Sequence, residues 1–155
     1  MTPFHQDKLN CIAVIADTHG KLPQKAVELL RKCEFILHAG DICDQDTLEK
    51  IRIIAPTIAV RGNNDFLPGL KEHETIILNG CTFLINHYPH TISQLQPKTD
   101  WYIFGHTHIP YDTTIGNTRH YNPGSVGKAN KGAPASMALF YWREGAWQPQ
   151  LHILD

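Results

Sequence analysis

No run of this 155-residue chain is apolar for long enough to span a bilayer, and none has the make-up of a signal peptide. The polar opening, residues 1–10, is expected to be a loose N-terminal tail. Cysteine is scarce: Cys11, Cys33, Cys43 and Cys81 are the only four, with no CxxC or finger spacing. That argues against a disulfide framework and suits a reducing, cytoplasmic setting. Charge of one sign is short as well. Fourteen Lys and Arg against 15 Asp and Glu give a formal net charge of −1, and the basic residues do not cluster. This disfavours a nucleic-acid footprint, although a metal site would add positive charge that the tally omits. Repeats, low-complexity tracts and linkers are missing, so one domain is expected over residues 11–155. With 42% hydrophobic and 19% charged residues, it can bury a real core.

What is present is a series of short apolar runs. Residues 11–16, 35–39 and 57–61 read as strands, with two helices between them. The first follows Leu22, where Pro23 suits a first turn and Ala26, Leu29, Leu30 and Cys33 form an apolar face. The second starts from a cap at Asp46 or Thr47, runs to about Ile54 and ends at Pro56. The second half turns to hairpins. Residues 75–78 and 82–86 flank Asn79-Gly80, and residues 101–104, 118–121, 137–142 and 147–153 follow, with Glu144-Gly145 as the last turn. A short helix is expected near residues 91–96. The fold class is α/β (α+β), best accommodated by two stacked mixed sheets flanked by helices.

Seven metal-ligand side chains fall where these runs end. Asp17 and His19 follow the first strand, Asp41 the second and Asn63 the third; His87 follows residues 82–86, and His106 and His108 follow residues 101–105. Carboxyl ends of strands present groups to a crevice, so the pattern points to one site gathered from the whole domain. In Asp17-Thr18-His19 an extended exit would turn both side chains onto one ion, and in His106-Thr107-His108 alternation would put both imidazoles on one face. A lone Gly40-Asp41 is only a common turn. Carboxylate, imidazole and one amide favour manganese first, with iron, zinc or nickel as alternatives, over calcium or a thiolate knot. Seven ligands are too many for one catalytic ion and suit two, bridged by Asp41.

In order, Asp17-Thr18-His19, Gly40-Asp41, Gly62-Asn63-Asn64-Asp65, His87 and Gly105-His106-Thr107-His108 resemble the motifs of the calcineurin-like metallophosphoesterases. The short, capless chain and Asn122-Pro123-Gly124-Ser125 are similar to the small phosphodiesterase branch. That resemblance implies a two-layer β-sandwich with helices outside. It implies one ion on Asp17, His19, Asp41 and His108 and a second on Asp41, Asn63, His87 and His106. It also implies in-line attack on a phosphoester by a hydroxide bridging two divalent ions.

Two positions depart from the family pattern. Asn64 stands where relatives place His or Cys; it can donate a hydrogen bond but no proton near neutral pH. Tyr88 stands where a glycine often follows the His, and is expected to pack beside the pocket. Asp65 is expected to orient an imidazole or the turn backbone. Asn122, Gly124, Ser125, Tyr88 and His90 are candidate pocket residues. The substrate class is a small phosphoester or nucleotide, without membrane or nucleic-acid partners. A homo-oligomer through the C-terminal strands stays open. So does a different class of function, a weakly active or inactive scaffold that binds protein partners, as the retromer-type subunit of this fold does. His38 reads as a packed, hydrogen-bonded core residue; His5 and His152 read as solvated, and His73 as a loop residue.

Overall fold

The computed structural model describes residues 4–89, 98–127 and 133–154. Two mixed sheets stack face to face. The five-stranded sheet runs β11-β10-β2-β3-β4, comprising Ala146–Ile153, Ser136–Arg143, Cys11–Ile15, Phe35–His38 and Thr57–Ala59. The six-stranded sheet runs β1-β5-β6-β7-β9-β8, comprising Phe4–Gln6, His73–Leu78, Cys81–Asn86, Trp101–Ile103, Thr118–Asn122 and Tyr111–Ile115.

Strand periodicity decides which side chains meet. In the five-stranded sheet, Ile12, Val14, Phe35, Leu37, Ala138 and Phe140 point into the sandwich, where they meet Ile76, Phe83, Ile85 and Trp101 from the other sheet. The alternate residues Ala13, Ile15, Ile36, Met137 and Leu139 face the helices and pack on Ala26, Leu29, Leu30 and Ile51. Both faces of this sheet are therefore buried, which is why its central strands read as unbroken apolar runs.

The two helices, α1 (Gln24–Leu30) and α2 (Gln45–Ile54), start differently from expectation. Pro23 is the N-cap of α1, not part of its first turn. Asp44 caps α2: its Oδ1 accepts from the Thr47 backbone N–H at 2.7 Å. Asp46 instead lies in the first turn, where its charge favours the helix dipole.

Three further expectations change. Part of the supposed tail is a strand, since Phe4–Gln6 pairs in parallel with Ile76–Leu78. His73 begins β5 and does not lie in a loop. The edge strand β8 has no apolar run to announce it, all five of its residues being exposed. The expected helix near residues 91–96 lies outside the described residues. No described helix is long and apolar enough to cross a membrane.

Candidate metal centre

The parallel strands β2, β3 and β4 and the parallel pair β6 and β7 all end at one rim, which brings their exit loops together. The backbone there is unusual. Among the described residues nine non-glycine positions have positive φ, and six of them are Asp17, His19, Asp41, Cys43, His106 and His108. Each of three exit loops thus carries the same device, a left-handed residue at two positions one apart. This corrects the expectation of extended exits: the ligands are aimed by left-handed turns, and His106 and His108 do not sit on a strand. Such conformations cost on the order of 1–3 kcal/mol each and persist only where the surroundings enforce them.

The enforcing contacts are visible. The N–H of Asp17 donates to Gly40 O at 2.9 Å, and that of His19 to Asp41 O at 3.0 Å, zipping the first two loops together. His38 ties them again: its Nδ1 accepts from Gly40 N–H at 3.1 Å, so its Nε2 carries the proton and donates to Thr18 Oγ1 at 3.1 Å. Burial pushes this imidazole down to about 4, keeping it neutral. Asp65 braces the second loop. Its Oδ2 accepts from the N–H groups of Asp41 and Gly62, both at 2.9 Å, and its Oδ1 from that of Cys43 at 2.7 Å. Of the two roles foreseen for it, holding the turn backbone is the one observed. Gly62 fits here for want of a side chain, since a Cβ would lie 2.4 Å from Asp41 N.

At the centre, lone pairs converge. Asp17 Oδ1 is fully buried with no hydrogen-bond partner, and faces three Nε2 atoms, those of His108 at 3.4 Å, His19 at 3.7 Å and His87 at 3.9 Å. His19 Nε2 lies 3.3 Å from His108 Nε2. Asp41 Oδ2 lies 3.4 Å from His87 Nε2 and 3.6 Å from His19 Nε2, reaching both groups. His87 Nδ1 donates to Ala39 O at 2.8 Å, which leaves its Nε2 with the lone pair. The Asn63 amide end next to that Nε2, at 3.0 Å, is also 3.2 and 3.3 Å from the two Asp41 carboxylate oxygens. Its oxygen there faces only acceptors.

Ligand atoms about 2.1 Å from one ion lie roughly 3–3.5 Å from each other, close to the separations seen here. The residues therefore fit divalent cations. Two groups meet the geometric demand, Asp17 with His19 and His108, and Asp17 with Asp41 and His87. His106 is in neither. Its backbone N–H donates to Asp17 Oδ2 at 3.0 Å, while its exposed ring packs against His87 and Tyr88. The electrostatics agree. Burial alone would raise the carboxyls of Asp17 and Asp41, yet the neighbouring imidazoles, and hydrogen bonds from Asn64 to Asp41, hold both below the ordinary range. Burial would lower His87, but the carboxylates of Asp41 and Asp17, which favour its protonated form, raise it. Concentrated negative charge that attracts a proton attracts a metal ion more strongly.

Other expected site residues turn out to be supports. Asn64 donates to Asp41 twice, through its N–H to Oδ1 and its Nδ2 to Oδ2, both at 2.9 Å. Asn122 and Ser125 are fully buried. Asn122 Nδ2 donates to Gly105 O and to Thr107 Oγ1, and Ser125 Oγ donates to Asp17 O. Gly124 is buried as well, and a Cβ there would collide with Ser136 Oγ. Asn122 and Ser125 thus brace the ligand loops from within the fold. Tyr88 is half-exposed and packs its ring on His87 and His106, as expected. His90 lies outside the described residues. Sequence reasoning missed Cys43, whose Sγ lies 3.6 Å from His19 Nδ1. The signal was there: Asp41-Ile42-Cys43 repeats the spacing of Asp17-Thr18-His19.

The chain is similar to known proteins over most of its length. The chain is 31% identical over 144 residues to a probable metallophosphoesterase of Methanothermobacter thermautotrophicus, covering 83% of this chain and 84% of that one. It is 26% identical over 154 residues to phosphodiesterase YfcE of Escherichia coli K12, covering 80% and 83%. The YfcE structure superposes with a TM-score of 0.71 at 21% identity, over 94% and 100% of the two chains. Wild-type Vps29 of Entamoeba histolytica, solved with zinc, shares the fold at TM-score 0.71 and 21% identity, over 94% and 99%. Residues 11–145, which carry every loop of the metal centre, match the calcineurin-like phosphoesterase superfamily domain, and the chain belongs to that superfamily.

Proposed function

We propose that the protein is a two-metal phosphodiesterase. One observation carries the reading: a buried, unpartnered carboxylate oxygen of Asp17 faces three imidazole Nε2 atoms. Asp17, His19, Asp41 and His108 would hold one ion; Asp41, Asn63, His87 and His106 would hold the other, once the His106 ring turns from Tyr88. Bound ions of this kind act as Lewis acids on phosphoryl oxygens and acidify a water for in-line attack. The chain's own part is positioning. Asp41 reaches both groups of imidazoles, and Asn64 fixes the Asp41 carboxylate with two hydrogen bonds. Its amide delivers no proton, so the departing oxygen must leave as a stable anion. The diester preference draws on the relative named a phosphodiesterase.

The second reading, a scaffold that binds protein partners, draws on the similarity in fold to Vps29. The test separates the two. Purified protein is stripped with chelator, reloaded with Mn²⁺, and assayed on bis(p-nitrophenyl) phosphate and p-nitrophenyl phosphate, with Asp41→Asn as the disabled control. Metal-dependent turnover of the diester, lost in the variant, is expected. Stoichiometric metal with no turnover of either ester would favour the scaffold.

A further inference from the structure

The outer face of the six-stranded sheet carries an aromatic-lined cavity that the metal centre does not use. Strand alternation builds it. Trp101, Ile103 and Tyr121 face the sandwich, so Tyr102, Phe104 and His120 face away from it. Pairing of β8 with β9 sets Tyr111 opposite Asn122 and Ile115 opposite Thr118, on that same outward side. Together with Pro89, Thr107 and Ile109 these residues enclose about 260 Å³. Among the described residues no Asp, Glu, Lys or Arg lines it. Ile109, Tyr111 and Ile115 each leave more than two-fifths of their surface exposed around it, apolar area of the kind that marks binding sites.

The cavity shares its walls with the metal loops. Thr107 stands between His106 and His108. Pro89 follows Tyr88, whose ring centroid lies 5.0 Å from that of His106. The Tyr102 hydroxyl donates to the Tyr88 carbonyl, fixing one wall to the other. A substrate phosphorus at the metal centre would thus have an apolar recess beside it.

We infer that this recess binds an aromatic group carried on the phosphodiester oxygen that does not depart. The inference rests on the phosphodiesterase reading. With no Lys or Arg along the described walls a further phosphate would lack a counter-charge, and aromatic walls favour a flat ring stacked or edge-on. The volume lies below the roughly 300–1,000 Å³ of pockets that enclose drug-sized ligands, which suits one ring system. Tyr111 and Ile115 are then specificity residues, which act on binding and leave the chemistry to the metal loops.

Two diesters with the same leaving group test this: bis(p-nitrophenyl) phosphate and methyl p-nitrophenyl phosphate. The parent should have a KM about tenfold lower for the bis-aryl ester, in line with differences of a few methylenes in apolar pockets. Tyr111→Ala and Ile115→Ser, both at exposed positions, should erase that ratio and leave kcat alone, while Ile53→Ala on α2 should not. Independently of turnover, diphenyl phosphate added to the metal-free chain should shift the amide resonances of Thr107 and Ile109, and dimethyl phosphate should not. Hydrolysis of both esters with a ratio unmoved by the variants overturns the recess alone. Failure of the loaded parent to hydrolyse either ester overturns the phosphodiesterase reading and the recess with it.

Discussion

Asn64 directs its backbone N–H and one side-chain N–H at a single carboxylate, and its amide has no proton to give up near neutral pH. It fixes Asp41 and leaves the departing oxygen without a proton source. Asn64→His should restore one. Turnover of diesters with alkyl leaving groups is expected to rise about 10²-fold, while aryl diesters gain little, because general acid catalysis matters most for poor leaving groups. Equal gains on both would count against the assignment. Asp65 works in the opposite sense, far from substrate and close to the backbone. Asp65→Ala would strip the acceptor from the N–H groups of Asp41, Cys43 and Gly62 in a buried setting. Charge-assisted bonds to backbone are worth about 1.5–3 kcal/mol each and are not fully additive, so a loss of about 3 kcal/mol is expected in urea unfolding of the metal-free protein. A loss under about 1 kcal/mol would show that the loop holds itself. The motif positions of the ligands were legible in the sequence because each follows an apolar run. The supports were not. Nothing in Asn122 or Ser125 says that a buried amide and hydroxyl will be spent on the carbonyls of Gly105 and Asp17, since those partners lie 17 and 108 residues away.

At the scale of elements, the central strands were readable for a physical reason: β2, β3 and the first part of β10 are buried on both faces, so nearly all their residues are apolar. The β5–β6 hairpin was readable from Asn79-Gly80, whose residues both adopt the positive φ that such a turn requires. β8 was not, because Tyr-Asp-Thr-Thr-Ile at an exposed edge shows no strand period. The left-handed exit loops were also hidden, since Asp and His reveal nothing of φ until a neighbouring loop enforces it. The start of α2 was placed too late by the competition between three nearby cap-type residues. The geometry singles out Asp44, so Asp44→Ala should lower stability by about 1 kcal/mol, whereas Asp46→Ala should change it by no more than a few tenths. Thermal unfolding of the two variants decides it, and the reverse order would return the cap to Asp46.

The whole molecule ties its metal loops to its core through His38, and acid should find that link. This imidazole lies on the helix-facing side of β3, fully buried, with Nδ1 accepting from Gly40 and Nε2 donating to Thr18. A second proton on Nδ1 would set two donors against each other and leave a charge without solvent. In the folded state its pKa is therefore pushed down to about 4, against 6.5 for the free side chain. Above pH 6.5 neither state binds the proton, and the His38 contribution to stability is intact. As the pH falls from 6.5 toward 4 the unfolded chain takes up a proton that the folded chain refuses, so stability drops, by about 3 kcal/mol over that window. His87, raised by its carboxylate neighbours, works in the opposite direction, its contribution fading as the pH rises. Comparison with a variant isolates the two. Urea unfolding of the chelator-treated parent at pH 7.5, 6.0 and 4.5 should show the decline, and His38→Gln, less stable at pH 7.5, should lose markedly less on going to pH 4.5. Parallel pH profiles for parent and variant would place the acid sensitivity at groups other than His38, and not at Asp17 and Asp41, whose depressed carboxyls give up their stabilisation only below the ordinary carboxylate range and so outside this window.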